Sequence, residues 1–203
     1  MTKIVLVRHG ETFWNLEARI QGHLDSPLTD KGKAQVEALA EHFKSQSFAA
    51  IYSSDLGRAF ETARCISEKN VNNLYVSVRD CLRERNLGIL QGELKGELEK
   101  TFPKEAPYYR ANDPDHLIPE GETLRQLSQR SMNCLETIAK KHEGKRVLVV
   151  THNGVLVSLL KNTLCIPLEA PRNFVSLNTG INVFSFSDET WKLEVWGDSS
   201  HIK

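Results

Sequence analysis

Four short runs of apolar residues punctuate the chain: Ile4 to Val7, Phe48 to Tyr52, Leu74 to Val78 and Val147 to Val150. The first, second and fourth carry no polar alternation, the pattern of strands buried on both faces. Between them the period changes. Val36, Leu39, Ala40 and Phe43 recur at i, i+3, i+4 and i+7 behind a capping residue at Thr29, and Ala59, Thr62, Ala63 and Ile66 repeat the spacing. A longer helix is predicted from about Gly121-Glu122-Thr123, with Leu124, Leu127, Ser131, Leu135 and Ile138 on one face. The chain closes on Ile181 to Phe186, a turn through Ser187-Asp188-Glu189, and Trp191 to Trp196, which reads as a hairpin. Strands alternating with helices predict an α/β fold: a three-layer α/β/α sandwich with a mostly parallel sheet and an antiparallel edge strand.

One stretch breaks the alternation. Residues 93–120 mix charges with Pro103, Pro107, Pro114 and Pro119 and with the aromatic residues Phe102, Tyr108 and Tyr109. A long irregular excursion from a compact domain is more often functional than passive, so we expect a helical cap insertion over a site within a single domain spanning 1–203. The aromatic residues could face a ligand or form a small core of their own.

Composition narrows the function. The 203 residues carry 26 Lys and Arg against 26 Asp and Glu, a formal net charge of +0. Nucleic acids and anionic membranes are held by accumulated positive charge, so neither is expected as a partner. No apolar stretch is long enough to span a bilayer or to form a secretory signal, and the expected compartment is the cytoplasm. Cys65, Cys81, Cys134 and Cys165 form no Cys-x-x-Cys pair and read as core thiols.

Candidate chemistry gathers where predicted strands end. In a parallel sheet, ligands sit beyond the carboxyl ends of the strands. The first run ends at Arg8-His9-Gly10, the second leads through Ser53-Ser54-Asp55 to Arg58 at a helix start, and the fourth ends at Thr151-His152-Asn153-Gly154. Each pairing alone could be an ordinary surface or loop feature, but a shared topological position brings two histidines and two arginines to one sheet edge. A neutral imidazole can attack phosphorus once fixed cations spread the charge of the phosphate. Free amides at the Arg58 helix start would favour an anion, and Gly10 and Gly154 would allow the backbone close to a ligand. A poor alkoxide leaving group also needs a proton donor. Glu84, in Leu82-Arg83-Glu84-Arg85, is the candidate, although an ionised carboxylate beside Arg83 and Arg85 would be a poor acid and spacing alone favours a surface ion pair. A metal site from His9, His23 and His152 has no supporting ligand spacing.

The motifs resemble, in order and over nearly the whole chain, those of the histidine phosphatase superfamily, the phosphoglycerate mutase-like group. They are Arg8-His9-Gly10-Glu11-Thr12, Trp14-Asn15, Gln21-Gly22, Asp25-Ser26-Pro27-Leu28-Thr29, Tyr52-Ser53-Ser54-Asp55-Leu56 with Arg58, Leu82-Arg83-Glu84, Gly121-Glu122 and Thr151-His152-Asn153-Gly154. The likeness is weakest from Lys95 to Pro119. It implies a phosphohistidine on His9, with Arg8, Arg58 and His152 holding the phosphoryl oxygens and Glu84 as proton donor. It implies further that Asn15 and Asn153 contribute to phosphate binding, that Gln21 and Gly22 line the substrate side, and that neither metal nor cofactor takes part. Mutases of the group carry a Glu-Arg-His-Tyr-Gly stretch where this chain has Glu84-Arg85-Asn86-Leu87-Gly88, and the basic residues Lys95, Lys100, Lys104 and Arg110 lack the mutase pattern. The resemblance therefore favours a phosphatase acting on a small phosphorylated metabolite. The alternatives are a cofactor-dependent mutase and a catalytically silent binding protein; the silent form would be marked by loss of the nucleophile, an arginine or the acid.

Overall fold

A computed structural model describes residues 1–202. Six strands, β1 (Thr2–Arg8), β2 (Ala50–Ser53), β3 (Val76–Val78), β4 (Arg146–Thr151), β5 (Ile181–Ser187) and β6 (Thr190–Asp198), form one sheet in the order β3-β2-β4-β1-β5-β6. The first four are parallel, β5 runs antiparallel to β1, and β6 closes the edge antiparallel to β5. Ile4, Val5, Leu6 and Val7 are all fully buried, and strand alternation sends them to opposite layers. Ile4 and Leu6 pack with Leu127, Leu135, Val155 and Leu159 of helices α6 (Leu124–Lys141) and α7 (Asn153–Thr163). Val5 and Val7 pack with Leu39, Phe43, Ala59 and Ile66 of α2 (Asp30–Phe43) and α3 (Gly57–Lys69). The result is the three-layer sandwich that the apolar runs predict.

Capping chemistry sets the helix starts. The Thr29 hydroxyl accepts from the Gly32 amide at 2.9 Å. At α6, the Thr123 hydroxyl accepts from the Gln126 amide while the Gln126 side chain accepts from the Thr123 amide, at 3.0 and 2.8 Å. Each such cap stabilises its helix by about 1 kcal/mol.

Two short helices, α4 (Leu98–Thr101) and α5 (Ala106–Ala111), lie outside the sheet, as does the short α1 (Phe13–Leu16). Leu98, Ala106 and Ile118 join Ile20, Leu87 and Leu90 in a third apolar cluster against which Phe102 and Tyr109 pack. Tyr108 instead lies outside that cluster, stacked on His116 with ring centroids 4.0 Å apart. The expectation of four core thiols is corrected. Cys81 and Cys134 are joined by a disulfide, because α6 packs against the 3-10 turn Asp80–Leu82 and brings their Cα atoms to 6.0 Å. Cys65 is half-buried and Cys165 exposed. Among the described residues, no helix is long and apolar enough to cross a membrane.

Candidate active site

Parallel pairing of β1 with β4 puts Arg8 opposite Thr151, so the next residues, His9 and His152, emerge side by side. Their ring centroids are 5.2 Å apart. They stand at the floor of a cavity of about 340 Å³ whose lining includes Arg8, His9, Asn15, Gln21, Gly22, Arg58, Glu84 and Asn153. His152 is fully buried just behind that lining.

Hydrogen bonding orients His9. Its Nδ1 lies 2.8 Å from the Gly10 carbonyl, which can only accept, so Nδ1 carries the proton. Nε2 is left with its lone pair, accepting from Arg58 Nε at 3.3 Å. Burial, then repulsion from Arg58 and Arg8, holds the His9 ring well below the usual histidine range. His152 is pushed down likewise, first by burial and next by Arg58. Both rings are therefore neutral in the free protein at neutral pH. Neither ring nitrogen of His152 nor Nε of Arg8 has a hydrogen-bond partner among the described residues, an arrangement suited to an incoming anion.

The arginines are fixed differently. Arg58 is almost wholly buried, donating to the Leu24 and Gly22 carbonyls and to Asp25 Oδ1 at 2.9, 2.8 and 2.7 Å. Asp25 also accepts from the Gly57 amide at 2.5 Å and the Arg58 amide at 3.4 Å. The amides expected to await an external anion at the α3 N-terminus are thus held by a carboxylate of the chain itself. Burial pulls Arg58 below its usual value, partly offset by Asp25. Arg8 is lowered by burial to about 10, and its Nη1 donates to the Ser176 carbonyl at 2.9 Å.

Glu84 lines the same cavity. Its carboxylate accepts from the Gly154 amide, 3.1 Å from each oxygen, and from the Arg85 amide at 2.8 Å. Neither arginine neighbour forms an ion pair with it. Arg83 turns outward to Asp55, and Arg85 donates to the Glu122 carbonyl. Arg130 fastens the backbone here, donating to the carbonyls of Arg83 and Glu84 and to the Glu122 carboxylate. The role expected of the two glycines is also corrected. A Cβ on Gly154 would stand 2.1 Å from Glu84 Oε1, and one on Gly10 would stand 2.7 Å from Val36 Cγ2. Both glycines admit parts of the protein rather than a ligand.

The remaining predicted residues fall as follows. Asn15 lines the cavity with its Oδ1 accepting from the Thr12 amide and from Asn178 Nδ2, both at 3.2 Å. Gln21 and Asn153 each present a buried side-chain oxygen without a partner among the described residues, while Gly22 lines the cavity beside them. Of the basic residues between 93 and 120, Lys95 and Arg110 reach the cavity and Lys100 and Lys104 do not. His23 does not converge with the other histidines, because its ring contacts the Glu84 carbonyl at 2.9 Å. Sequence reasoning missed Asn178, which also donates to the His9 carbonyl at 2.9 Å, and Arg172 in the cavity wall. A signal for Asn178 existed: β5 runs antiparallel to β1 with Ile181 opposite Val7, so residues just before β5 must sit beside His9.

Fold and site together define an α/β enzyme built to bind a phosphoryl group at the ends of its central parallel strands. The family model of the histidine phosphatase superfamily (branch 1) matches residues 4–199. The chain is 43% identical to phosphoglycerate mutase-like protein 4 of Arabidopsis thaliana, over 99% of this chain and 87% of the relative. It is 41% identical to the metal-independent phosphoserine phosphatase of the same plant, over 100% and 84%. The solved structure of Bacillus stearothermophilus YhfR superposes with a TM-score of 0.91 at 32% identity, covering 100% of both chains. The chain belongs to the histidine phosphatase superfamily, and its reaction is the hydrolysis of phosphomonoesters.

Proposed function

We propose that His9 is the nucleophile of a metal-independent, cytoplasmic phosphatase of small phosphorylated metabolites, in which residues 93–120 form a cap on a single domain. In this reading the Nε2 lone pair forms a bond to phosphorus while the ester P–O bond breaks, its electrons passing to the departing alkoxide. Glu84 gives that oxygen its proton. Glu84 then takes a proton from water, the water oxygen bonds to phosphorus, and the P–N bond breaks to release inorganic phosphate and neutral His9. Arg8, Arg58 and a His152 that gains a proton with the dianion hold the phosphoryl oxygens, supported by Asn15 and Asn153. Gln21 and Gly22 line the side that receives the alcohol. No step needs a metal, since the cations that neutralise the transferring group belong to the chain.

The observation that carries this reading is the tautomer of His9. Its proton is committed to the Gly10 carbonyl, its lone pair faces Arg58, and Glu84 lines the same cavity. Quenching the enzyme during turnover of a 32P-labelled substrate tests it. An acid-labile, alkali-stable phosphoryl adduct mapping to His9, formed in the presence of a chelator, is the expected result. An adduct on another residue, or none during multiple turnovers, would overturn the proposal. Incubating 3-phosphoglycerate with and without its bisphosphate separates hydrolysis from mutase chemistry: free phosphate is expected in place of the isomer.

A further inference from the structure

The segment that carries Glu84 cannot satisfy its own backbone: residues 83–87 are irregular, between the 3-10 turns Asp80–Leu82 and Gly88–Leu90. Carbonyls sheltered in such a segment need donors from elsewhere. Leu82 accepts from the Thr151 hydroxyl at 2.7 Å, while Cys81, Arg83 and Glu84 all accept from the one guanidinium of Arg130, at 3.0, 2.9 and 2.8 Å. His23 Nε2 also donates to the Glu84 carbonyl, at 2.9 Å. The other N–H groups of Arg130 go to the Glu122 carboxylate, Nε to Oε2 at 2.9 Å and Nη2 to Oε1 at 2.6 Å. All five donors of the planar fork are thereby engaged, an arrangement that a lysine could not reproduce.

Glu122 completes the clamp. Its Oε1 accepts from the Asn86 amide at 2.8 Å, its own amide donates to the Asn86 carbonyl at 2.9 Å, and its carbonyl accepts from Arg85 Nε at 3.0 Å. A Cβ on the preceding Gly121 would stand 2.6 Å from the Asn86 carbonyl oxygen, so glycine lets the two backbone segments close. The carboxylate balances the guanidinium, and a cation stands behind the acid without an unpaired charge. The covalent tie to α6, Cys81–Cys134, reaches only the start of the segment. Arg130 and Glu122 hold the part that bears the acid. Neither lines the cavity, so any effect they have on the reaction passes through Glu84.

We infer that Arg130, paired with Glu122, is a positioning residue for the proton donor: it fixes the backbone on which Glu84 stands, so that the carboxyl meets the departing oxygen. That role rests on the phosphatase reading, in which Glu84 is the acid, and extends the machinery to a helix face outside the cavity. A reacting group misplaced by about 1 Å loses on the order of a hundredfold in rate. A merely structural arginine would, when lost, lower the amount of active enzyme and so slow every substrate alike. A positioning arginine harms the steps that move a proton.

An alkyl and an aryl ester separate these roles. In Arg130→Gln, kcat/KM on glycerol 3-phosphate should fall about a hundredfold and on 4-nitrophenyl phosphate less than about threefold, because nitrophenolate departs without a proton. Glu84 also activates the water, so the variant should release a burst of about one nitrophenolate per active site and accumulate phosphoenzyme. Arg130→Lys keeps the charge but presents its donors from one point, and Glu122→Gln keeps the shape without the charge. Each should show the same contrast at smaller size, and the two carry the test if Arg130→Gln does not fold. Arg130→Gln should add little in the Glu84→Gln background. Ile138→Ala, a core truncation farther along α6, is the control for destabilisation and should scale both esters alike. Equal losses on the two esters in the folded variants, or losses that multiply with those of Glu84→Gln, overturn the inference. If Glu84→Gln alone still shows the ester contrast, only the role of Arg130 falls. If Glu84→Gln slows both esters equally, the assignment of Glu84 as the acid falls instead.

Discussion

The floor of the cavity and its mouth are built on opposite principles. At the floor, His9, Arg58 and His152 are at most 3% exposed, each emerging just past a buried strand or at the helix that follows one. Backbone carbonyls and amides fix the His9 tautomer, the Arg58 guanidinium and the Glu84 carboxylate. At the mouth, Lys95 and Arg172 are exposed and come from loops held by a few anchors. Rigid, water-poor geometry suits a step whose charge distribution is the same for every phosphomonoester. Looser, solvated cations suit the part of the substrate that differs from one metabolite to the next. Under the proposed function, reaction and specificity separate along this division, and mutations can test the separation.

The largest effect should come from the floor. His9→Ala is expected to lower kcat on every substrate by at least about ten-thousand-fold, because it removes the Nε2 on which the proposed P–N bond forms. Measuring phosphate release from an aryl and an alkyl ester checks it; substantial turnover of either would detach the floor from the chemistry. Next comes the acid. Glu84→Gln should cost about a hundred- to ten-thousand-fold on glycerol 3-phosphate and far less on an aryl phosphate, whose phenolate departs without a proton. Gly154→Ala should reproduce that contrast without touching a titratable group, because its methyl would meet the Glu84 carboxylate at 2.1 Å and must displace it. Equal losses on both esters, for either variant, would remove Glu84 from the proton-donor position.

How much of this was legible in the sequence follows the same division. Ile4 to Val7 and Val147 to Val150 announce buried strands, and in a parallel sheet a residue just past a strand end has a known location. The approach of His9 to His152 could therefore be anticipated without coordinates. The direction of Glu84 could not. Arg83 and Arg85 flank it in sequence, yet Asp55 and the Glu122 carbonyl draw them away, and tertiary placement decided the outcome. The Cys81–Cys134 bridge was invisible for a similar reason: 53 residues separate two thiols that only the docking of α6 brings together. Arg172 carried no signal at all, since a loop arginine acquires meaning through Lys161, Trp196 and the cavity they help to shape. Asn178 is readable in principle: β5 runs antiparallel to β1, so it is the start of that strand, not its end, that meets the site.

Titration gives the smallest expected effect and the sharpest contrast between floor and exterior. Burial is the leading cause that lowers His9 and His152, ahead of the charges of Arg58 and Arg8. In the free protein both imidazoles should titrate well below 6.5, so their ring 1H–13C resonances should show no midpoint near neutral pH. Midpoints near 6.5 for either ring would show that the floor admits water. Arg58→Gln sharpens the test, because loss of its charge should raise both midpoints while burial still keeps them below 6.5. The stability consequence has a definite sign. Below about pH 6.5 the unfolded chain protonates these histidines and the folded protein does not, so the unfolded state binds more protons and stability falls as pH falls. Each ring contributes up to about 1.4 kcal/mol per pH unit to that slope, until the pH reaches its depressed native value. Replacing His152 by Gln should flatten the slope of unfolding free energy just below pH 6.5, measured by denaturant titration. An unchanged slope would mean that the His152 ring already takes up its proton inside the folded protein.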